Sequence, residues 1–275
     1  MESASILWNL FSVFLTGLSY FALLAFILGL LGKLIGYLRT PMPWPEVVTP
    51  APETEGGAAL RVAGDVLIFP ALFKADKFLW AGALAFHIGL AAILFRHLRY
   101  FTYPVPAPVL YMESVALFFG YLFGAATLFL FWRRLALPRS LYISNIPDYF
   151  ALVLLGAIAG TGILVSYWLH AYLVDVKAFT LGLLTLHPVA PPKHPLFLVH
   201  YSLVLLLLIY FPSSKLLHAG GIFFSPARNQ PYQIQKAGKR YVNPWDPVVD
   251  GSPPAYSNMN GHAQPAASSQ QSASD

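Results

Sequence analysis

Cysteine is absent from all 275 residues. That excludes disulfides, and it excludes any iron–sulfur cluster or thiolate-held metal carried by this chain. Charge is nearly as scarce: Asp, Glu, Lys and Arg together make up 11%, where a soluble domain carries about 25%. A water-soluble globular fold fails on that count. No basic segment precedes the first apolar run and no small-residue cleavage site follows it, so the run is expected to be a retained membrane helix and not a cleaved leader. No internal repeat of about 20–50 residues is visible.

What the sequence does contain is apolar. Hydrophobic residues reach 57% and the mean hydropathy is +0.59. A helix of about 20 apolar residues spans a bilayer core, and five such stretches stand out, near Leu10–Leu38, Phe78–Phe101, Pro108–Trp132, Pro147–Tyr172 and Leu196–Phe211. The fourth opens on Pro147 and Asp148, a first-turn proline and an anion at the positive end of the helix dipole. The expected fold is all-α, an integral membrane bundle of five transmembrane helices with its termini on opposite faces. One face receives Lys33, Arg39, Arg61, Lys74, Lys77, Arg133, Arg134, Arg139, Lys215, Arg228, Lys236, Lys239 and Arg240; the other receives Arg96, Arg99, Lys177 and Lys193. The excess marks the cytoplasmic side, which places the N-terminus outside and the C-terminus in the cytoplasm. In a membrane protein the net charge of +5 therefore belongs to loops and gives no reason to expect a nucleic-acid partner. Residues 1–229 are expected to form the bundle, with an irregular cytoplasmic loop over 40–77. Residues 230–275 read as a polar, disordered tail rich in Pro, Ser and Gln.

Histidine carries the chemistry. Of eight histidines, His87 and His97 fall in the second apolar stretch, and His200 and His218 on the fifth. An ionisable side chain inside a bilayer is costly and marks function. Two imidazoles on one haem iron leave no open position, which suits electron transfer. On a continuous helix His87 and His97 differ in height by about 15 Å and His200 and His218 by about 27 Å. Eighteen residues make five whole turns, so the latter two are expected to share a face, with helix tilt absorbing the mismatch. The two helices run antiparallel, which pairs His87 with His218 toward the cytoplasm and His97 with His200 toward the outside.

Other candidates surround them. Arg96 and Arg99 flank His97, where guanidinium groups suit haem propionates. Gly82 and Gly89 admit a flat macrocycle or a neighbouring helix; Gly120/Gly124 and Gly156/Gly160 read as helix packing. Glu113, near the outer end of the third helix, is a candidate for relaying a quinol proton. His170, His187 and His194 read as loop residues. Asp148 and Asp175 suggest no partner.

These residues carry a family resemblance. Phe-His-Ile-Gly (86–89), Arg-His-Leu-Arg-Tyr-Phe-Thr (96–102), Ile-Pro-Asp-Tyr-Phe (146–150), Phe-Pro-Ser-Ser-Lys-Leu-Leu-His-Ala-Gly-Gly (211–221) and Ser-Pro-Ala-Arg-Asn (225–229) resemble the cytochrome b subunits of the nitrate-reductase gamma type. Within that superfamily they are most similar to the branch serving the Dsr membrane complex of dissimilatory sulfur metabolism. The resemblance runs over roughly residues 5–230, and the spacings of ten and eighteen between the paired histidines are those of the family. It implies two haem b groups, held by His87 with His218 and by His97 with His200. It further implies menaquinone or ubiquinone as diffusible substrate, and the cytoplasmic membrane of a prokaryote. The implied partners are a cytoplasmic heterodisulfide-reductase-like iron–sulfur subunit and further membrane, iron–sulfur and multihaem c subunits. The quinol-associated lysine after helix two in the nitrate-reductase type has no counterpart here. By resemblance the quinone site adjoins the outer haem, with Arg96 and Glu113 as wall residues. The segment from Ser213 to Asn229, together with the loop before Lys77, is expected to face the iron–sulfur partner. Two other classes compete for the same helices: a free-standing transmembrane haem b reductase, which needs no cytoplasmic partner, and a transporter or scaffold, which holds no haem.

Overall fold

A computed structural model describes residues 2–40, 51–225, 228, 229 and 231. The chain divides into two compact units, the first of Met1–Pro43 with Val62–Ser225 and the second of Trp44–Arg61 with Pro226–Asp275. Five helices of the first are long and apolar enough to cross a membrane: α1 (Glu2–Arg39), α4 (Lys77–Phe101), α6 (Ala116–Ala136), α8 (Ile146–Tyr167) and α10 (Pro195–Tyr210). Short helices connect them: α2 (Glu55–Leu67), α3 (Pro70–Ala75), α5 (Ala107–Tyr111), α7 (Pro138–Tyr142), α9 (Leu173–Leu184) and α11 (His218–Gly221). No strand occurs among the described residues. The protein is an all-α, multi-pass membrane bundle.

Neighbours pack in the order α4, α6, α8, α10, α1, with α9 against α4. One core joins Phe86 of α4, Phe123 and Ala126 of α6, and Leu155 and Ala159 of α8. A second joins Leu15 and Ala22 of α1 to Leu205 of α10. Large side chains such as Phe14, Leu24 and Leu128 point outward and stay exposed, as expected of helices that are apolar all round and face lipid. Gly89 explains the tight fit of α4 on α6: a Cβ there would stand 3.0 Å from the backbone nitrogen and the Cβ of Phe123. Gly82 serves the same packing against the Phe129 ring, so both glycines admit a helix. Polar side chains tie the helices together. Tyr201 donates to Ser19 Oγ (2.8 Å), and Thr180 of α9 donates to the Tyr100 carbonyl (2.6 Å), one of the acceptors left open at the end of α4. Asp76 caps α4 by accepting from Leu79 N–H (2.8 Å) and meets Arg133 Nη2 at 2.6 Å. The Leu79 N–H and then the guanidinium hold its carboxyl below the ordinary aspartate range.

The boundaries depart from expectation in several places. The loop before Lys77 is not irregular throughout, since α2 and α3 occupy 55–67 and 70–75; residues 41–50, like 226–227 and nearly all of the polar tail, lie outside the described residues. The third spanning helix begins at Ala116, not Pro108. Ser114 Oγ donates to the Tyr111 carbonyl (3.2 Å), and such local bonds compete with helix propagation. The fourth ends at Tyr167, and the following chain forms α9, whose Phe179 is fully buried. The fifth ends at Tyr210, because Pro212 cannot continue it. Two 3₁₀ turns follow, over Phe211–Ser213 and Lys215–Leu217. His218 is therefore not on the fifth helix, and five whole helical turns do not separate it from His200. With the helix broken, the rise of about 27 Å expected of a continuous helix no longer applies.

Candidate functional site

Each of the four histidines is placed by a different local device. His87 and His97 lie one on each side of the middle of α4, and each bonds through Nδ1 to the carbonyl four residues earlier, Ala83 (2.7 Å) and Ile93 (2.7 Å). His200 sits on α10 and meets Thr161 Oγ1 of α8 through Nδ1 at 3.0 Å. Thr161 donates its own proton to the Ala157 carbonyl (2.7 Å), so its oxygen is left to accept. His218 opens α11, and its Nδ1 lies 2.8 Å from the Lys215 carbonyl. A carbonyl only accepts, so Nδ1 of His87, His97 and His218 is the protonated nitrogen; with the Thr161 proton on the Ala157 carbonyl the same tautomer suits His200. That tautomer leaves Nε2 with its lone pair, the arrangement that outer-shell bonds give to metal-binding imidazoles.

The rings meet in two pairs. His87 and His218 have centroids 6.1 Å apart with planes at 86°; His97 and His200 have centroids 6.5 Å apart with planes at 23°. An iron about 2 Å from each ligating nitrogen, with each centroid about 1.1 Å further back, would hold opposed imidazoles about 6 Å centroid to centroid. Both pairs fit that spacing. Among the described residues no group of three or more His, Asp or Glu gathers to hold a metal ion, so a metal between either pair would need its remaining ligands from another group, and a haem macrocycle is one that supplies them. A second fit lies beside His97. Arg96 is largely buried, and its Nη1 has no hydrogen-bond partner within the described structure. A buried cationic donor left open calls for an acidic group, and a haem propionate supplies one.

The remaining candidates divide. Arg96 Nη2 and Arg99 Nη1 both approach Glu113 Oε1, at 3.4 and 3.6 Å. Glu113 stands in the turn before α6, not on the helix, and its side chain is 64% exposed, so these pairs add little stability. His194 accepts from Phe197 N–H (3.2 Å) as the cap of α10, and His187 bonds the Thr185 carbonyl (2.8 Å); both act in loops, as expected. Asp148 does have partners: Lys215 Nζ at 2.8 Å and Arg134 Nη1 at 3.1 Å. Three neighbours of the pairs escaped sequence reasoning. Thr161 and Gly162 had no signal beyond a polar residue and a glycine in an apolar helix; a Cβ on Gly162 would come 3.1 Å from His200 Cε1. Phe69 lies with its ring 5.0 Å from His87 and holds φ at 48°, a left-handed backbone that non-glycine residues rarely adopt outside functional or constrained sites.

The model of the nitrate reductase gamma subunit family matches residues 71–237, which takes in both pairs and every spanning helix but α1. The chain belongs to that family. Among curated relatives, an Hdr-like menaquinol oxidoreductase cytochrome b-like subunit of Archaeoglobus fulgidus is 41% identical over 190 aligned residues, covering 64% of this chain and 57% of that protein. A protein of the same description from Archaeoglobus profundus is 31% identical over 276 aligned residues, covering 84% of this chain and 82% of that protein. The chain thus spans little over half of the first relative and most of the second.

Proposed function

We propose that this gamma-family chain is a quinone-reactive dihaem cytochrome b subunit that passes electrons between membrane quinol and an iron–sulfur partner. The observation that carries the reading is the meeting of the four imidazoles in two couples, 6.1 and 6.5 Å between centroids, each ring with its Nδ1 already engaged. His87 with His218, and His97 with His200, would hold two b haems. Haem bound at these pairs supplies one-electron transfer. The protein's own part is to fix each imidazole's tautomer through Nδ1, to meet acidic groups with Arg96 and Arg99, and to keep the rings in an apolar bundle. The relatives' description supports menaquinol as the quinone and an Hdr-like complex as the setting. The partners in this proposal are a heterodisulfide-reductase-like iron–sulfur subunit on the cytoplasmic face and further membrane, iron–sulfur and multihaem c subunits. A chain without cysteine needs such partners, since it cannot hold the clusters itself. The finer resemblance, to the DsrM cytochrome of the Dsr complex in a prokaryotic cytoplasmic membrane with the N-terminus outside, belongs to the same proposal.

The direct test is haem content. Purified protein is expected to hold about two protohaems per chain, both six-coordinate and low-spin; a chain that purifies folded and haem-free would overturn the reading and favour a transporter or scaffold. The quinone site is proposed beside the His97–His200 pair, with Arg96 and Glu113 in its wall. A quinol-analogue inhibitor is then expected to shift the spectrum of that haem more than the other. A larger shift at the His87–His218 haem would move the site to the opposite face.

A further inference from the structure

His218 is the exception among the four histidines. The other three stand on spanning helices, whose backbone is held by its own hydrogen-bond ladder. His218 begins a four-residue helix that follows two 3₁₀ turns, and its side chain is exposed. Short 3₁₀ turns do not hold themselves rigid, so the orientation of this ring must be imposed from outside the segment.

The structure provides that support at one carboxylate. Asp148 lies in the first turn of α8 with only 5% of its side chain exposed. Its Oδ2 accepts from Asn145 N–H at 3.0 Å, which closes the start of α8. The same oxygen meets Arg134 Nη1 of α6 at 3.1 Å and Lys215 Nζ at 2.8 Å. Lys215 is otherwise a surface residue, 70% exposed. Its carbonyl is the acceptor of the His218 Nδ1–H. One residue therefore links a buried carboxylate, through its ammonium, to the ring of His218, through its carbonyl. On either side of this link the segment also packs: Pro212 is buried against Gly29, and Leu217 is buried.

We propose that Asp148 is a positioning residue for the His87–His218 pair: by holding Lys215 it fixes the turn that presents His218, and with it the angle His218 makes to His87. It touches neither ring. The inference rests on the proposed ligation of haem by His87 and His218.

The two pairs differ in ring-plane angle, 86° against 23°, and the electron paramagnetic resonance of low-spin ferric haem depends on that angle, so each pair has its own signal. The experiment uses the purified full-length chain with its haems. Asp148→Asn is expected to alter the g-anisotropy and midpoint potential of the His87–His218 component and to weaken haem retention there by about 10–100-fold, the scale of lost outer-shell support at metal ligands. The His97–His200 component should stay as in the parent. Asp148→Glu should restore the parent signal. Should Asp148→Asn fail to accumulate, Lys215→Met decides, because that side chain lies at the surface; it is expected to reproduce the same one-sided change. Parent-like signals at the His87–His218 component in both variants would overturn the proposal, as would parallel loss of both components, which marks a general loss of fold. Failure of the underlying ligation reading looks different: His87→Ala would then leave both components unchanged.

Discussion

Replacing His97 or His200 by alanine is expected to abolish one and the same low-spin component, and replacing His87 or His218 the other. Under the proposed ligation each change removes one axial nitrogen, and six-coordinate low-spin iron needs both. Haem content should fall from about two to about one per chain, or the affected haem should turn high-spin with water in the open position. The prediction separates this pairing from its competitor. If the two histidines of α4 served one haem, His87→Ala and His97→Ala would delete the same component, and the spectra of those two variants would coincide. The rings found together are His87 with His218 and His97 with His200, so the two spectra should instead be complementary. Optical difference spectra and paramagnetic resonance of the four variants decide the matter.

The second large effect is expected at a residue with no side chain. Gly162 leaves the space in which the His200 ring stands, and even a methyl group there would press its Cε1 at 3.1 Å. Gly162→Ala should be tolerated with a displaced ring and a modest change in the His97–His200 signal. Gly162→Val adds two more carbons against the same edge and should eliminate that component while sparing the other. Thr161→Val tests the neighbouring support without adding bulk. It keeps the shape and removes the oxygen that accepts from Nδ1, and losses at such outer-shell partners run to about 10–100-fold in affinity. A Gly162→Val protein with both components intact would show that His200 does not need its present position.

The five spanning helices could be read from sequence for a simple reason: bilayer thickness sets the length of an apolar helix. The closeness of the His97 and His200 rings follows from the opposite directions of α4 and α10, whereas the turn that brings His218 to His87 does not. What escaped depends on local competition that hydropathy does not register. Pro212 ends α10 before His218, Ser114 delays α6, and Trp168 marks where α8 gives way to α9. Each is a single residue inside or beside an apolar run, and the run looks continuous without it. The partners of Asp148 were illegible for another reason. Arg134 arrives from α6 and Lys215 from the 3₁₀ turn after α10, and no spacing along the chain places them beside it. Arg96 and Arg99 were found as candidates by their adjacency to His97, but their shared approach to Glu113 needed the turn at 112–115 to exist.

The break between α10 and His218 also bears on how the molecule is made. The two histidine pairs are nested along the chain, with His97 and His200 inside His87 and His218. Synthesis proceeds from the N-terminus and elements fold as they emerge, so the partner of His97 arrives with the fifth spanning helix, while the partner of His87 arrives only after that helix has ended and the chain has turned. Assembly therefore has a built-in sequence. The His97–His200 couple can close once the fifth spanning helix is in place, whereas the His87–His218 couple also needs the segment after that helix to fold back.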